Sequence, residues 1–278
     1  MTVPLFPGDP PDVDPFDVVV ISFNNVDLTT RAVISVLYTE PSARVILVDN
    51  GSSKPFKELR GLLKSRGHEY IRLPNNLGPY GAANAGIERV RTERFVLMCN
   101  DCAALPGTLR ALVGAVSDEH PYVCASEVQS AWFDPAFHRP AVTEASTSVL
   151  ESGVFFTCFA VQKKFVDEVG PFDPDFKLTF GDTDWEQRAS DILVARKIPV
   201  PREGHLFQAP NVRVFHGASV TRKRLGIDRD LEVDLADHRT FHEKWASRPD
   251  VMRKHPMENF EFKKAWLERE WANTRGEQ

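Results

Sequence analysis

The sequence predicts an α/β fold: a Rossmann-like, mixed but mostly parallel sheet flanked by helices, followed by a helical C-terminal extension. Three observations lead there. Short apolar runs alternate with helical patterns over the first 120 residues or so. Each run ends in small polar or acidic residues. The tail from about Asp230 carries two helical patterns rich in Trp, Phe and charge.

DVVVISF (17–23), RVILVDN (44–50), EYIRLP (69–74) and RFVLM (94–98) read as strands. Helical patterns lie between them: one from Asp27, a candidate N-cap, to Tyr38, then 55–67 closed by Gly67, 81–93, and 105–116 with Pro106 near its first turn. Strands at this spacing imply parallel pairing with right-handed crossovers. Ligands of such sheets sit in the crevice beyond the carboxyl ends of the strands. The segments to watch are therefore 22–25 (SFNN), 49–52 (DNGS), 75–78 (NNLG) and 100–101 (ND). The same residues are also ordinary turn formers. In the second half, 148–164 is β-rich, 170–176 is turn-rich, 182–198 is helical after an acidic start, and 211–219 is a strand that ends at His216.

Composition narrows the class. The chain has 278 residues, 42% hydrophobic and 26% charged, with a net charge of -5. No global basic field exists to hold nucleic acid, although Arg222-Lys223-Arg224 is a local basic run. No apolar stretch reaches the about 18–20 residues needed to span a bilayer. The first fifteen residues are acidic and Pro-rich and do not form a signal peptide. A cytoplasmic location is the default expectation, and peripheral membrane attachment is compatible with it. Cys99, Cys102, Cys124 and Cys158 do not suggest a disulfide framework.

Two acidic positions carry the chemistry. Asp101 follows an apolar strand at the crevice mouth, where a carboxylate suits a hard cation such as Mg²⁺ or Mn²⁺. His216, at a later strand end, is a candidate second ligand, although taken alone it reads as a structural histidine before it reads as a ligand. In GDTDWEQR (181–188), Asp182 and Asp184 stand at a helix start. There they serve either as cap and dipole partners or as a general base.

The ordered motifs VVVISFNN, ILVDNGSS, LPNNLGPYGAANAGI, FVLMCND, GPFDPDF, FGDTDWEQR and VFHGAS resemble the family 2 glycosyltransferases of the GT-A fold over about residues 17–220. The resemblance implies an inverting transferase that moves a sugar from a UDP- or dTDP-sugar to an acceptor hydroxyl, assisted by Mn²⁺ or Mg²⁺. It implies an extended lead-in (1–16), a catalytic domain (17–225) with a nucleotide-sugar half (17–120) and an acceptor half (121–225), and a helical extension (226–278). By the same resemblance, Ser22, Asn24 and Asp49 hold the nucleotide base. Asn76, Gly78 and Asn84 line the nucleotide and diphosphate, with Gly78 letting backbone approach the ligand. Asp101 and His216 hold the metal, Asp182 is the base, and Asp184 supports it or touches the acceptor. The chain departs from the family pattern at Cys99, where Asp or Asn usually stands, and at Gly181, where an acid usually precedes the base. Either Asn100 supplies the missing oxygen, or Asp101, His216 and the donor phosphates hold the cation.

Two other classes compete. Cys99-Asn100-Asp101-Cys102 is a C-x-x-C after a strand, the setting of a thiol–disulfide oxidoreductase, but the helix starts too late to activate its thiols. The departures at Cys99 and Gly181 also fit a sugar-nucleotide or glycan-binding relic. The acceptor reads as a glycan, a glycolipid or another hydroxyl, and a modified DNA base is an alternative that the net charge does not favour. Arg222, in the loop 221–229, is a candidate to cover the donor diphosphate. Trp245, Trp266 and Trp271 either pack on the catalytic domain or form a homodimer or acceptor surface.

Overall fold

A computed structural model describes residues 12–129, 156–198, 208–216 and 231–255, with helical backbone also at 261, 264, 265 and 269. Arg222 and the rest of the loop 221–229, Trp266, Trp271 and most of the N-terminal lead-in lie outside the described residues.

The first half alternates as expected: β1 (Asp17–Ser22), α1 (Val26–Thr39), β2 (Arg44–Asp49), α2 (Lys57–Ser65), β3 (Glu69–Arg72), α3 (Gly78–Ile87) and β4 (Arg94–Cys99). Then come β5 (Cys102–Ala103), α4 (Thr108–Ala115), β6 (Tyr122–Gln129), β7 (Cys158–Gln162), α5 (Lys163–Val169), α6 (Gly181–Ala195), β8 (Gln208–His216), α7 (Leu231–Trp245) and α8 (Pro249–Lys254). Among the described residues the strands form one eight-stranded sheet in the order β3-β2-β1-β4-β7-β6-β8-β5. Pairing is parallel from β3 through β4 and between β6 and β8. It is antiparallel at β4–β7, β6–β7 and β5–β8.

The apolar runs of β1, β2 and β4 have no polar alternation because both sheet faces are covered. Val19, Ile46, Val48, Phe95 and Leu97 face one apolar cluster, which also takes in α3 and α6. Val18, Val20, Val45, Leu47, Val96 and Met98 face a second cluster under α1, α2 and α4.

Several boundaries differ from the expectation. Asn25, not Asp27, stands at the N-cap of α1, and Asp27 lies in the first turn. The left-handed backbone at Asn24 and Asn25 (φ 53° and 40°) suits Asn better than most residues. Helix α3 begins at Gly78, with Pro79 in its first turn, and ends at Ile87. Helix α4 starts only at Thr108, because the chain first forms the short strand β5 against β8. Strands β5 and β6 and helix α5 are the elements that the local pattern does not announce.

The C-terminal helices share the apolar core of the sheet. Phe241, Trp245 and Val251 belong to the same cluster as Trp185 and Tyr122. Trp245, 8% exposed, is a core residue. The link between α6 and α7 is Asp184, which is fully buried. Its carboxylate accepts from Arg188 Nε (3.1 Å) and Trp245 Nε1 (3.1 Å) and pairs with Lys244 Nζ at 2.8 Å. Removing one member of a buried ionic network leaves the others unpaired and typically costs about 3–5 kcal/mol. Asp184→Ala is therefore expected to lower stability by about 3 kcal/mol in chemical denaturation. A change below about 1 kcal/mol would show that the junction is not what holds α7 to α6.

Candidate active site

A cavity of about 520 Å³ opens beyond the carboxyl ends of β1 and β4. The turns after these strands and after β2 form one side, the segment 177–180 forms the other, and Asp101 and His216 also reach it.

Many polar residues at the strand ends serve to tie the loops to one another. Asn50 does most of this work. Its Nδ2 donates to Asn76 Oδ1 (2.8 Å) and to the Gly78 carbonyl (3.0 Å), and its Oδ1 accepts from Leu77 N–H (2.9 Å). Asn76 Oδ1 also accepts from Gly78 N–H at 2.9 Å. Asn50, Asn76, Gly78 and Ser22 all line the cavity. Ser22 Oγ lies 2.5 Å from Thr29 Oγ1, and both accept from Asn100 Nδ2.

Three residues assigned to the nucleotide by resemblance are placed differently. Asn24 holds the β2–α2 loop: its N–H donates to Ser52 Oγ and its Oδ1 accepts from Ser53. Asp49, fully buried, accepts from Ser52 N–H (2.9 Å), Tyr70 Oη (2.6 Å) and Arg72 (2.5 Å). Asn84 exchanges two hydrogen bonds with the Phe172 backbone, at 2.8 and 3.0 Å, and so fastens the 170–176 turn to α3. None of the three lines the cavity. Gly78 (φ +74°) does line it, but the backbone that approaches it belongs to the protein. A Cβ there would stand 2.7 Å from the Lys177 carbonyl oxygen.

Asp101 and His216 meet at the cavity rim. Asp101 Oδ1 lies 3.7 Å from His216 Nε2, and both residues are buried. That is too long for a hydrogen bond and leaves room for an ion between the two groups. Cys102 stands beside them: one ligand atom from each of Asp101, Cys102 and His216 lies within 4.8 Å of the others. A carboxylate, an imidazole and a thiol in this arrangement could hold a divalent cation. Cys99 lines the cavity. The Cys99 thiol donates to the Phe156 carbonyl and the Cys102 thiol to the Thr157 carbonyl. Cys102 lies in a strand, six residues ahead of α4, so no helix N-terminus activates it as redox chemistry would require.

Asp182 stands at the start of α6 and lines the opposite side. Its Oδ1 accepts from Tyr80 Oη (3.0 Å) and Thr183 N–H (2.9 Å). Burial pushes its carboxyl above the ordinary carboxylate range, while those two hydrogen bonds pull the other way. Tyr80 is itself pushed well up by burial and by the Asp182 charge, so it donates and does not ionise. Gly181 is what makes room for it, since a Cβ at 181 would lie 2.5 Å from the Tyr80 ring. One helical turn on, burial and the nearby Asp182 charge push Glu186 well up. Asp184 does not reach the cavity; it forms the α6–α7 junction instead.

The cavity wall at 177–179 hangs on one residue of α7. Asp237, 1% exposed, accepts from the backbone N–H groups of Lys177 (2.9 Å), Leu178 (2.7 Å) and Thr179 (2.8 Å). Asp234 accepts from Thr179 Oγ1 at 2.9 Å. Phe180 comes next, in left-handed backbone (φ 63°), an uncommon conformation for a bulky residue. The His238 and Phe241 rings hold it, with centroids 4.4 and 5.0 Å away.

Comparison with known proteins decides the family. The model of "Glycosyl transferase family 2" matches residues 17–162, more than half of the chain. The chain belongs to glycosyl transferase family 2. Glycosyltransferase AglE of Haloferax volcanii is 26% identical over 175 residues, 60% of this chain and 57% of that protein. The succinoglycan biosynthesis protein ExoO of Rhizobium meliloti is 32% identical over 109 residues, 38% of this chain and 31% of that protein. The chain thus spans between about a third and three-fifths of these relatives' lengths. Among solved structures, the mannosyltransferase PcManGT of Pyrobaculum calidifontis, in complex with GDP-Man and Mn²⁺, has a TM-score of 0.58 at 15% identity and covers 84% of this chain and 68% of that one. GalNAc-T7, solved with UDP, GalNAc and Mn²⁺, has a TM-score of 0.51 at 17% identity over 73% of this chain and 43% of that one. The mixed sheet flanked by helices is the GT-A fold of these neighbours.

For this family 2 chain, the residues that sequence reasoning missed are mostly positioners. Tyr80 left one trace, a glycine at 181 where the family carries an acid. Asn50 stood in a watched turn without a role of its own. Asp237 lies in a helix whose spacing gives no hint of it. In Asp237→Asn an amide N–H₂ must face at least one of the three backbone donors, and an unsatisfied buried group costs about 1–3 kcal/mol. The expected result is a stability loss of that size, read by denaturant titration. An unchanged stability would show that the 177–179 wall is not set by Asp237.

Proposed function

We propose that the chain is an inverting glycosyltransferase that moves a sugar from a UDP- or dTDP-sugar to an acceptor hydroxyl on a glycan or glycoconjugate. The observation that carries the reading is that one cavity has Asp101 and His216 on one side and the half-buried Asp182 on the other. The reaction needs these two kinds of group apart: cationic charge where the diphosphate leaves, and a carboxylate where the acceptor hydroxyl loses its proton. The solved neighbours with nucleotide or nucleotide sugar and Mn²⁺ support a nucleotide-sugar donor and a cation.

In this reading Asp101 and His216 hold Mn²⁺ or Mg²⁺, which when bound supplies Lewis-acid stabilisation of the leaving diphosphate. Asn76, Ser22 and the α3 N-terminus at Gly78 border the donor. Asp49 and Asn24 shape the base pocket through the loops they hold. Arg222 is assigned to the donor diphosphate by its place in the chain alone. Asp182 takes the acceptor proton. Burial makes it a better base than an exposed Asp, and Tyr80 holds the carboxylate in one orientation. The C-terminal helices hold the wall that faces the strand-end turns across the cavity. No helix among the described residues is long and apolar enough to cross a membrane.

Two measurements test this. Calorimetry with a panel of nucleoside diphosphates and nucleotide sugars is expected to find one that binds with Mn²⁺, and Asp101→Ala is expected to lose the Mn²⁺ dependence. If none binds under any condition, the donor assignment fails.

Once a donor and an acceptor are in hand, the pH profile of kcat tests the base. Only ionised Asp182 accepts a proton, so kcat falls as pH drops through its raised pKa. Tyr80→Phe removes a hydrogen bond that favours the ionised form, so the acid limb is expected to move to higher pH. Asp182→Asn is expected to lower kcat about 10²–10⁴-fold. An unmoved limb, or near-normal kcat in Asp182→Asn, would remove Asp182 from this role.

A further inference from the structure

The thiol of Cys102 is not part of the metal assignment made by resemblance, and the antiparallel pairing of β5 with β8 brings it to the same place. Cys102 and His216 are direct register partners across those strands. Residues directly opposite each other in an antiparallel pair send their side chains to the same face, so the thiol and the imidazole emerge together. Asp101, in the turn just before β5, completes the group. The three ligand atoms lie within 4.8 Å of one another. Bonds to a common ion are about 2.0–2.3 Å for these donor types, so sub-ångström shifts bring all three onto it. All three residues are more than nine-tenths buried, with exposures of 5% for Asp101, 1% for Cys102 and 8% for His216. Asp101 and His216 line the cavity and Cys102 does not. The thiol therefore approaches from the protein side and leaves the cavity side open to a ligand. In the structure it donates to the Thr157 carbonyl at 3.4 Å, an ordinary length for a sulfur donor.

We propose that Cys102 is a third protein ligand of the cation held by Asp101 and His216, and that the site therefore takes a thiophilic divalent cation in preference to Mg²⁺. The inference rests on the transferase reading for the identity of the site and narrows its metal. On binding, the Cys102 S–H bond gives way to a sulfur–metal bond, the proton leaves to solvent, and the hydrogen bond to Thr157 is released. Thiolate is a soft ligand: it raises affinity for Co²⁺, Zn²⁺ or Cd²⁺ and adds little for Mg²⁺, which demands oxygen. The family position two residues before Asp101 is Cys99, whose thiol is turned to the Phe156 carbonyl. The soft donor at the metal is thus the second cysteine of the C-x-x-C and not the first.

The test uses Co²⁺ as the probe on the full chain, with and without UDP. Co²⁺ bound by a thiolate gives an intense near-ultraviolet charge-transfer band that oxygen and nitrogen ligands do not. The band is expected in the wild-type chain and in Cys99→Ser, and absent in Cys102→Ser. It should also be absent in Cys102→Ala, which keeps an apolar side chain at the buried position. Circular dichroism confirms that each variant is folded. Cys102→Ser is also expected to weaken Co²⁺ binding by about tenfold or more, with Mg²⁺ binding changed far less. Co²⁺ binding that depends on Asp101 but shows no thiolate band, or a band that survives Cys102→Ser, overturns the inference and leaves the transferase reading standing. Failure of Co²⁺, Mn²⁺ and Mg²⁺ to bind at all, with or without UDP, overturns both.

Discussion

The carboxylate of Asp237 holds one wall of the cavity in place. It satisfies three successive backbone donors of the 177–179 wall, a segment with no ladder of its own. Buried backbone N–H groups need partners, and only α7 supplies them here. The position of α7 in turn depends on Asp184, Trp245 and Lys244 at its far end. The wall then constrains its neighbours on both sides. The Lys177 carbonyl sits where only glycine fits at 78, and Phe180 turns the chain into α6 so that Asp182 faces the cavity. The C-terminal helices are in this way part of the frame of the cavity.

The other side of the cavity is built on a different plan. A parallel sheet delivers strand ends to one edge, but their polar residues divide into two sets. Asn24, Asp49 and Asn84 are consumed in holding loops, whereas Ser22, Asn76, Asn100 and Asp101 reach the cavity. Asn50 belongs to both sets: it braces the 76–78 turn with three hydrogen bonds and still lines the space. A loop tied this way costs little further entropy when a ligand arrives.

Much of the fold was legible in the sequence because β1, β2 and β4 are buried on both faces, and that burial writes continuous apolar runs into the chain. The parallel half, the strand ending at His216 and the pairing of Asp101 with His216 could be read from spacing and resemblance. The unreadable part depends on contacts distant in sequence. Asp184 looked like a partner for the base because it is two residues from Asp182. On a helix two residues put it on another face, towards α7. Asp49 looked like a base-binding acid, but nothing local shows that Tyr70 and Arg72 reach it. The thiol of Cys102 becomes a neighbour of His216 only through the β5–β8 register, across more than a hundred residues of chain.

The strand-end turns and the α7-held wall line one cavity, and if that cavity is the proposed nucleotide site both sides respond to one ligand. Hydrogen–deuterium exchange in the presence and absence of UDP and Mn²⁺ tests it most directly. Joint protection is expected at the backbone amides of 76–78, 80, 100–101 and 177–182, including the wall segment that has no ladder of its own. Protection confined to the strand-end turns, or to surfaces away from the cavity, would contradict it.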